Sequence, residues 1–201
     1  MKRIVLGITG ATGVTLGVRL LEHLVSQAEV HLVLSESAAK VIKQETIYPL
    51  SYIEQLAQHH YSNNAIDAPI ASGSYLTDGM IITPCTIKTL SAIAHSYSDT
   101  LIARAADVTL KQRRTLILGI RETPLHLGHL RLMSLAAENG ACIMPFMPAF
   151  YSRPGSIDDL LDHWVAQALD LLHIDHTISP RYAGPDVEQR EMQEELVLDP
   201  A

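Results

Sequence analysis

The chain has 201 residues, of which 47% are hydrophobic, 18% charged and 5% aromatic, with a net charge of −7. That length fits one domain with a large core, and the apolar fraction excludes a disordered chain. The acidic balance argues against a nucleic-acid coat, no apolar run reaches the ~18 residues of a membrane span, and two cysteines make no disulfide framework, which suits a reducing cytoplasm.

Lys2-Arg3 before Ile4-Val5-Leu6 imitates a signal peptide, but Gly7, Thr9, Gly10, Thr12 and Gly13 break the stretch. A buried strand over Arg3–Ile8 accounts for it better. Gly7-Ile8-Thr9-Gly10-Ala11-Thr12-Gly13 follows, and then Val14, Val18, Leu21, Leu24 and Val25 recur at helical spacing. Val30–Leu34 reads as a second strand and Glu36–Gln44 as a helix. Residues 46–78 read mostly as loop, with a helix near Ile53–Gln58. Met80–Thr83 is a third strand stopped by Pro84, and Thr86–Ala94 is helical. Leu116–Gly119 is a fourth strand. Leu125–Glu138 is a helix closed by Asn139-Gly140 as a left-handed cap. Ala141–Met144 is a fifth strand, and Ile157–Leu172 a last amphipathic helix. The chain beyond Ile174 is acidic and irregular.

Apolar strands alternating with helices predict an α/β fold: a parallel sheet with helices on both faces, in three layers. Ligands of such sheets bind beyond the carboxyl ends of the strands. The loops after residues 8, 34, 83, 119 and 144 are therefore the place to look. The first is Gly-rich and opens a helix, a setting in which main-chain amides can hold a phosphate. Its Gly-x-x-Gly-x-x-Gly spacing is neither the dinucleotide fingerprint nor a P-loop, and a tight strand–helix turn is the plainer alternative. Glu36 could imitate the ribose-binding acid of an NAD site. Thr86 can cap the next helix, and Cys85 reads as a small core residue. Residues 101–124 carry Arg104, Lys111, Arg113, Arg114 and Arg121 against Asp107 and Glu122, a local +3. A solvated face is the usual meaning of such a run, but Arg121-Glu122 directly follows a strand and so lies at the ligand edge. Asp158-Asp159-Leu160-Leu161-Asp162 matches a magnesium-diphosphate motif, yet a helix cap at Ser156 with acids in the first turn explains it more simply. His126 and His129 lie three apart with no evident third ligand.

Seven stretches together resemble the UbiX-type flavin prenyltransferases, within the wider group of small flavin-binding, decarboxylase-like flavoproteins. They are the Gly7–Gly13 loop, His31-Leu32-Val33-Leu34-Ser35, Ser72-Gly73-Ser74, Pro84-Cys85-Thr86-Ile87-Lys88-Thr89-Leu90, Arg104-Ala105-Ala106-Asp107-Val108, Arg121-Glu122-Thr123-Pro124-Leu125, and Met147-Pro148-Ala149-Phe150-Tyr151. The resemblance spans residues 1 to about 175. It implies a single-domain, Rossmann-like flavoprotein fold over 1–175, with residues 176–201 as a partly irregular tail that can pack on a neighbouring subunit. It implies FMN as the flavin, dimethylallyl monophosphate as the donor, no metal, and prenylated FMN as a product passed to a UbiD-type decarboxylase. By resemblance, Gly10, Ala11, Thr12, Ser35, Thr86 and Arg104 bind FMN. Lys111, Arg121 and Tyr151 hold the donor phosphate, and Gln167 stands where the family usually has Arg. Thr12, Glu45, Glu122 and Lys111 carry the chemistry. Ile120 and Arg131-Leu132 are further departures. Family members form large homo-oligomers, typically dodecamers, with the site at a subunit junction; the apolar final helix with Trp164, and Arg181-Tyr182 in the tail, are compatible with that. Two other readings stay open: an FMN carrier that has lost prenyl transfer through Gln167, and an unrelated NAD-linked enzyme resting on the first loop and Glu36.

Overall fold

A computed structural model describes residues 1–181; Tyr182 and the rest of the acidic tail lie outside the described residues. Six strands form one wholly parallel sheet: β1 (Lys2–Ile8), β2 (Ala28–Leu34), β3 (His59–Ser62), β4 (Gly79–Cys85), β5 (Thr115–Ile120) and β6 (Cys142–Ile143). Their order is β3-β2-β1-β4-β5-β6. The chain therefore winds outward from β1 in one direction, then returns to the other side of β1 through β4. The carboxyl ends of β1 and β4 flank the switch point where such sheets bind ligands.

Two-residue alternation along the strands divides the core. Ile4, Leu6, Ile8, Leu32 and Ile81 pack under α1 (Val14–Leu24), α2 (Glu36–Glu45), α3 (Leu50–Leu56) and α7 (Ile157–Leu171). Val5, Val33, Met80, Ile82 and Leu118 pack on the opposite face under α4 (Ile87–Ala94), α5 (Leu101–Lys111) and α6 (Leu127–Glu138). Both faces are thus covered, which is why the strands read as continuous apolar runs.

Several expectations change. The edge strand β3 lies in a segment whose sequence reads as loop, because His59-His60-Tyr61-Ser62 has no apolar alternation. It forms because it pairs in register with His31–Leu34. Helix α5 underlies the basic run and buries Leu101, Ile102, Ala105 and Val108, so that segment is not only a solvated face. Pro84 does not stop β4. The strand continues to Cys85 with a register shift against β5 after Ile82, the kind of irregularity at which proline is tolerated. Trp164 is no assembly surface: it is 2% exposed in the core, with its indole N–H donating to the Pro145 carbonyl at 3.3 Å. The start of the tail folds back on its own chain. Ile178 packs on the core, Ser179 meets His163, and Arg181 forms a two-pronged pair with Asp170 at 2.8 and 3.1 Å.

The aspartate motif is structural. Ser156 and Asp159 form a reciprocal capping box at the start of α7. Asp162 receives two hydrogen bonds from the Arg19 guanidinium, at 2.7 and 2.8 Å, which tie α7 to α1. That guanidinium holds the Asp162 carboxyl below the usual carboxylate range. The pair's contribution is complete above the unfolded carboxylate's value of about 3.9 and is lost as pH falls through the lower folded value. Asp162→Asn should cost about 1 kcal/mol at neutral pH, given the partial exposure of both groups. Thermal melts of the two chains should converge in acid; an equal gap at all pH values would remove the ion pair as its cause.

Candidate functional site

The loops after β1 and β4 are joined by one buried hydroxyl. Thr9 Oγ1 donates to the Pro84 carbonyl at 2.7 Å and accepts from the Thr86 amide at 2.9 Å. Gly10 packs so tightly that a Cβ there would lie 2.2 Å from Ser37 Cβ, so only glycine lets the first loop lie against the start of α2.

Around this junction three helices begin at capping hydroxyls. Ser35 Oγ accepts from the Ala38 amide, Thr86 Oγ1 from Thr89, and Thr100 Oγ1 from Ala103, at 3.0, 3.3 and 3.4 Å. Their first turns enclose a cavity of about 210 Å³ lined by Thr9, Gly10, Ser35, Ser37, Asn63, Thr86, Lys88, Thr89 and Thr100, with Asp99 as the acid among them. Three positive helix ends, a row of hydroxyls and an ammonium group together make a site for an anionic ligand with a polyhydroxylated chain.

A second cavity, of about 240 Å³, lies on the other side of the same loops. Thr12, Gly13, Leu16, Thr83, Pro84, Gly119, Ile120, Arg121, Phe146 and Leu161 line it. It is mainly apolar, with Thr12 and Arg121 as polar members, and it suits a flat ring. Thr83 contributes a buried hydroxyl oxygen without a hydrogen-bond partner. An apolar slot beside an anion site, with an unsatisfied hydroxyl in its wall, fits a flavin nucleotide laid across the switch point.

The expected phosphate cradle at the start of α1 is corrected. Glu45, at the end of α2, has its carboxylate there. Its Oε2 accepts from the Gly13 and Val14 amides at 2.8 and 3.3 Å, and its Oε1 accepts from the Thr12 hydroxyl. Gly13 adopts a left-handed φ of 89° to turn the chain into the helix. The chain's own anion thus fills the place a ligand phosphate would take, and it fixes the Thr12 side chain.

The remaining candidates separate. Gly10, Ser35 and Thr86 line the first cavity, and Thr12 and Arg121 the second. Ala11 is the residue between the two walls; its amide bonds to the Thr9 carbonyl at 3.0 Å. Glu122 is exposed, its carboxylate accepting from the Thr123 amide at 3.0 Å. Tyr151 and Gln167 belong to a third cavity, of about 350 Å³, which α7 shares with the chain after Ile174. Arg104 and Lys111 are not brought to any of these. Arg104 donates to the Ala71 carbonyl and pairs with Asp107 at 3.3 Å. Lys111 ends α5, which starts beside Asn63 at the ligand edge and runs to the opposite edge; 11 residues span about 16 Å. Within one chain, then, the proposed phosphate-facing residues fall in three places. Glu36 is exposed on α2 and does not line the cavity, where Ser37 stands instead.

Sequence reading missed Thr9, Ser37, Asn63, Lys88 and Thr89. A signal existed for two of them: Lys88 and Thr89 sit in the first turn after the Thr86 cap, where anion-binding side chains are expected. Cys85 is the core residue expected: it is buried, and burial pushes its thiol up, away from a reactive thiolate.

Two histidine groups bear on metal binding. His126 accepts from the Gly128 amide as the cap of α6, with its ring 3.6 Å from that of His129. Glu29, His31 and His59 each offer one ligand atom, and these atoms lie within 4.8 Å of one another. The two imidazoles are stacked, however, 4.5 Å apart and tilted by 18°, so their in-plane lone pairs run side by side and do not converge on one ion. Arg3 also claims the Glu29 carboxylate at 3.1 Å. Burial, then the neighbouring His59, push His31 down to about 4, leaving a neutral ring packed on Tyr61 and Tyr75.

Known proteins resemble the chain in sequence and in fold. The Flavoprotein family model matches residues 1–134. The chain is 54% identical over 172 residues to the flavin prenyltransferase UbiX of Escherichia coli strain K12, covering 85% of this chain and 91% of that one. It is 48% identical over 174 residues to the flavin prenyltransferase UbiX of Archaeoglobus fulgidus, covering 86% and 96%. Among solved structures, AnUbiX in complex with FMN and dimethylallyl pyrophosphate superposes with a TM-score of 0.89 at 45% identity, covering 92% of this chain and 99% of that one. A dodecameric FMN-dependent UbiX-like decarboxylase from Escherichia coli O157:H7 gives 0.88 at 42% identity, covering 90% and 100%.

Proposed function

Because the chain belongs to the flavoprotein family, and within it to the UbiX-type flavin prenyltransferases, we propose that it transfers a dimethylallyl group from dimethylallyl monophosphate to reduced FMN. The product would be prenylated FMN, taken up by a UbiD-type decarboxylase. The observation that carries this reading is the paired cavity at the switch point: three capped helix ends with Lys88 on one side, and an apolar slot holding Thr12 and Arg121 on the other. That pairing suits a nucleotide phosphate and a tricyclic ring.

Reduced FMN, when bound, supplies the nucleophilic central-ring nitrogen and the adjoining benzenoid carbon that close the new ring. The allylic C–O bond breaks and phosphate leaves with its electron pair, so the site must meet a growing anion. Arg121, Tyr151, Gln167 and Lys111 would hold that phosphate, brought together by neighbouring copies from the three places they occupy in one chain. Arg104 would likewise serve the FMN site of a neighbour. Ser35, Ser37, Thr86 and Lys88 would bind the FMN phosphate, while Gly10 and Ala11 allow close approach of the main chain. Glu45 holds the Thr12 hydroxyl against the slot, where the pair can take a proton from the alkylated nitrogen. Closing the ring at the benzenoid carbon would consume the allylic double bond, so one proton is delivered to the middle carbon of the five-carbon unit and one is lost from the ring carbon. Glu122 would accept the latter, and the protonated Glu45–Thr12 pair could return the former.

A homo-oligomer, specifically a dodecamer, follows from the same reading. Leu127, Met147 and Phe150 are 59–73% exposed in the single chain near the ligand edge, a patch suited to burial against further copies. The enzyme would work without a metal and in the cytoplasm, where Cys85 and Cys142 stay reduced. Support for metal independence comes from commitments already described: Asp159 to a cap, Asp162 to Arg19, and the His31 and His59 rings to a stack.

The test is to mix the protein with reduced FMN and dimethylallyl monophosphate, or the diphosphate in a parallel arm, and weigh the extracted flavin. A gain of one isoprene unit is expected, at a rate unchanged by dialysis against EDTA. Flavin of unaltered mass favours the carrier reading, and a protein that takes up no FMN sinks both. Activity lost to EDTA and restored by magnesium would overturn metal independence.

A further inference from the structure

The third cavity contains a polar group that the reading above does not use. His163 lies on α7 one turn before Gln167 and is 8% exposed, next to the buried Trp164 and Val165. Its Nδ1 lies 3.2 Å from Ser179 Oγ. Its Nε2 lies 3.3 Å from the Tyr151 hydroxyl and 3.2 Å from the Gln167 amide nitrogen. The Tyr151 ring stands edge-on to the imidazole, 5.5 Å between centroids. One ring nitrogen therefore joins two of the four side chains assigned to the donor phosphate.

The chemistry of that nitrogen is restrictive. It offers one in-plane position, as a lone pair or as an N–H. An amide NH₂ only donates, so Nε2 accepts from Gln167, and the Tyr151 hydroxyl lies within hydrogen-bond distance of the same nitrogen. A single imidazole nitrogen has one lone pair for the groups gathered round it, and an acceptor with more lone pairs can serve them all. A phosphate oxygen is such an acceptor. With phosphate present, Tyr151 and Gln167 can both donate to it. The imidazole can then carry its proton on Nε2 and donate as well, while Nδ1 accepts from the Ser179 hydroxyl. The other charges in the cavity offset one another: Asp170 is held by Arg181 through two hydrogen bonds and by His176 at 3.1 Å, so its carboxylate is already neutralised. Arg181 is correspondingly committed, and Arg121 lines a different cavity of the same chain. Gln167 itself brings no charge and no planar fork.

We propose that His163 is a donor-phosphate-binding residue of this enzyme, completing with Tyr151 and Gln167 a three-donor set braced by Ser179. The proposal rests on the prenyltransferase reading for the identity of the ligand.

Binding of dimethylallyl monophosphate to the FMN-loaded protein, measured by calorimetry, tests it separately from turnover. His163→Phe keeps the ring's bulk and should raise the donor Kd and KM by about tenfold or more, as expected for loss of a hydrogen bond to a charged group, with FMN affinity and kcat little changed. Adding Gln167→Arg to that variant should restore donor binding, because a guanidinium at 167 supplies both lost donors. An unchanged donor Kd in His163→Phe overturns the proposal. So does a loss matched by an equal loss of FMN affinity, or one that Gln167→Arg fails to recover, since each marks a packing role. Donor binding that depends on His163 in a chain producing no prenylated flavin would uphold this site while ending the prenyltransferase reading. A chain that binds no donor at all ends both.

Discussion

Glu45→Ala is expected to slow prenylated-flavin formation by about 10²- to 10⁴-fold, the usual loss when a positioned proton-transfer group is removed. FMN affinity should stay within a few-fold. The reason lies in where the carboxylate sits. It receives the Thr12 hydroxyl and the amides of Gly13 and Val14 at the positive end of α1. Removing it frees the Thr12 rotor, leaves two amides for water, and takes away the carboxylate bound to the Thr12 hydroxyl in the wall of the apolar slot. The FMN phosphate is assigned to the other cavity, between the starts of α2, α4 and α5, and Glu45 does not line it. Glu45→Gln is the informative companion, since an amide can still reach Thr12 and the α1 amides but is a poor base. If Glu45→Gln retains full activity, Glu45 only clamps the loop. If both variants lose FMN affinity as much as rate, the separation of the two cavities is wrong. Rates are read by quenching and weighing extracted flavin, and affinity by flavin fluorescence.

Lys111→Ala and Tyr151→Phe should each remove most of the activity, yet a mixture assembled together should recover it in part. Lys111 ends α5 at the edge of the sheet away from the ligand loops, against Gly73, where a Cβ would approach its Cε to 3.3 Å. A lysine side chain cannot cover the length of α5 to reach Tyr151 of its own chain. If both residues serve one phosphate, they must come from different copies, as closed symmetric assemblies allow. In a randomly mixed oligomer about a quarter of junctions pair an intact Tyr151 with an intact Lys111, so about a quarter of native activity is expected. No recovery, with oligomers of native mass, would mean both residues act within one chain or that one is not in the site. A single Lys111→Ala variant of native rate would remove Lys111 altogether.

These expectations indicate how far the residues could be read without coordinates. The strands β1, β2, β4 and β5 were legible because burial on both faces leaves unbroken apolar runs, and helix covers turn that pattern into one architecture. The capping box at Ser156 and Asp159 was legible because it is a local device spanning four residues. Cys85 was legible as core because a free cysteine most often behaves as a small buried apolar residue. In contrast, β3 depends on hydrogen bonds from β2, and its own four residues carry no apolar stripe. The basic run reads as a solvated helix face, and its charges gave no sign of the buried Leu101, Ile102 and Ala105 on the other face of α5.

The chain's local order determined its family resemblance, its parallel sheet and the loops that carry the site. Tertiary packing alone decided that Glu45 sits over the start of α1, that Thr9 ties two loops, that Lys88 lines the first cavity, and that Lys111 lies away from the ligand loops. The physical reason is range. Periodicity and caps act over a turn or two of chain, whereas those four placements depend on how helices cross the sheet and bring together segments 32, 75 or more residues apart.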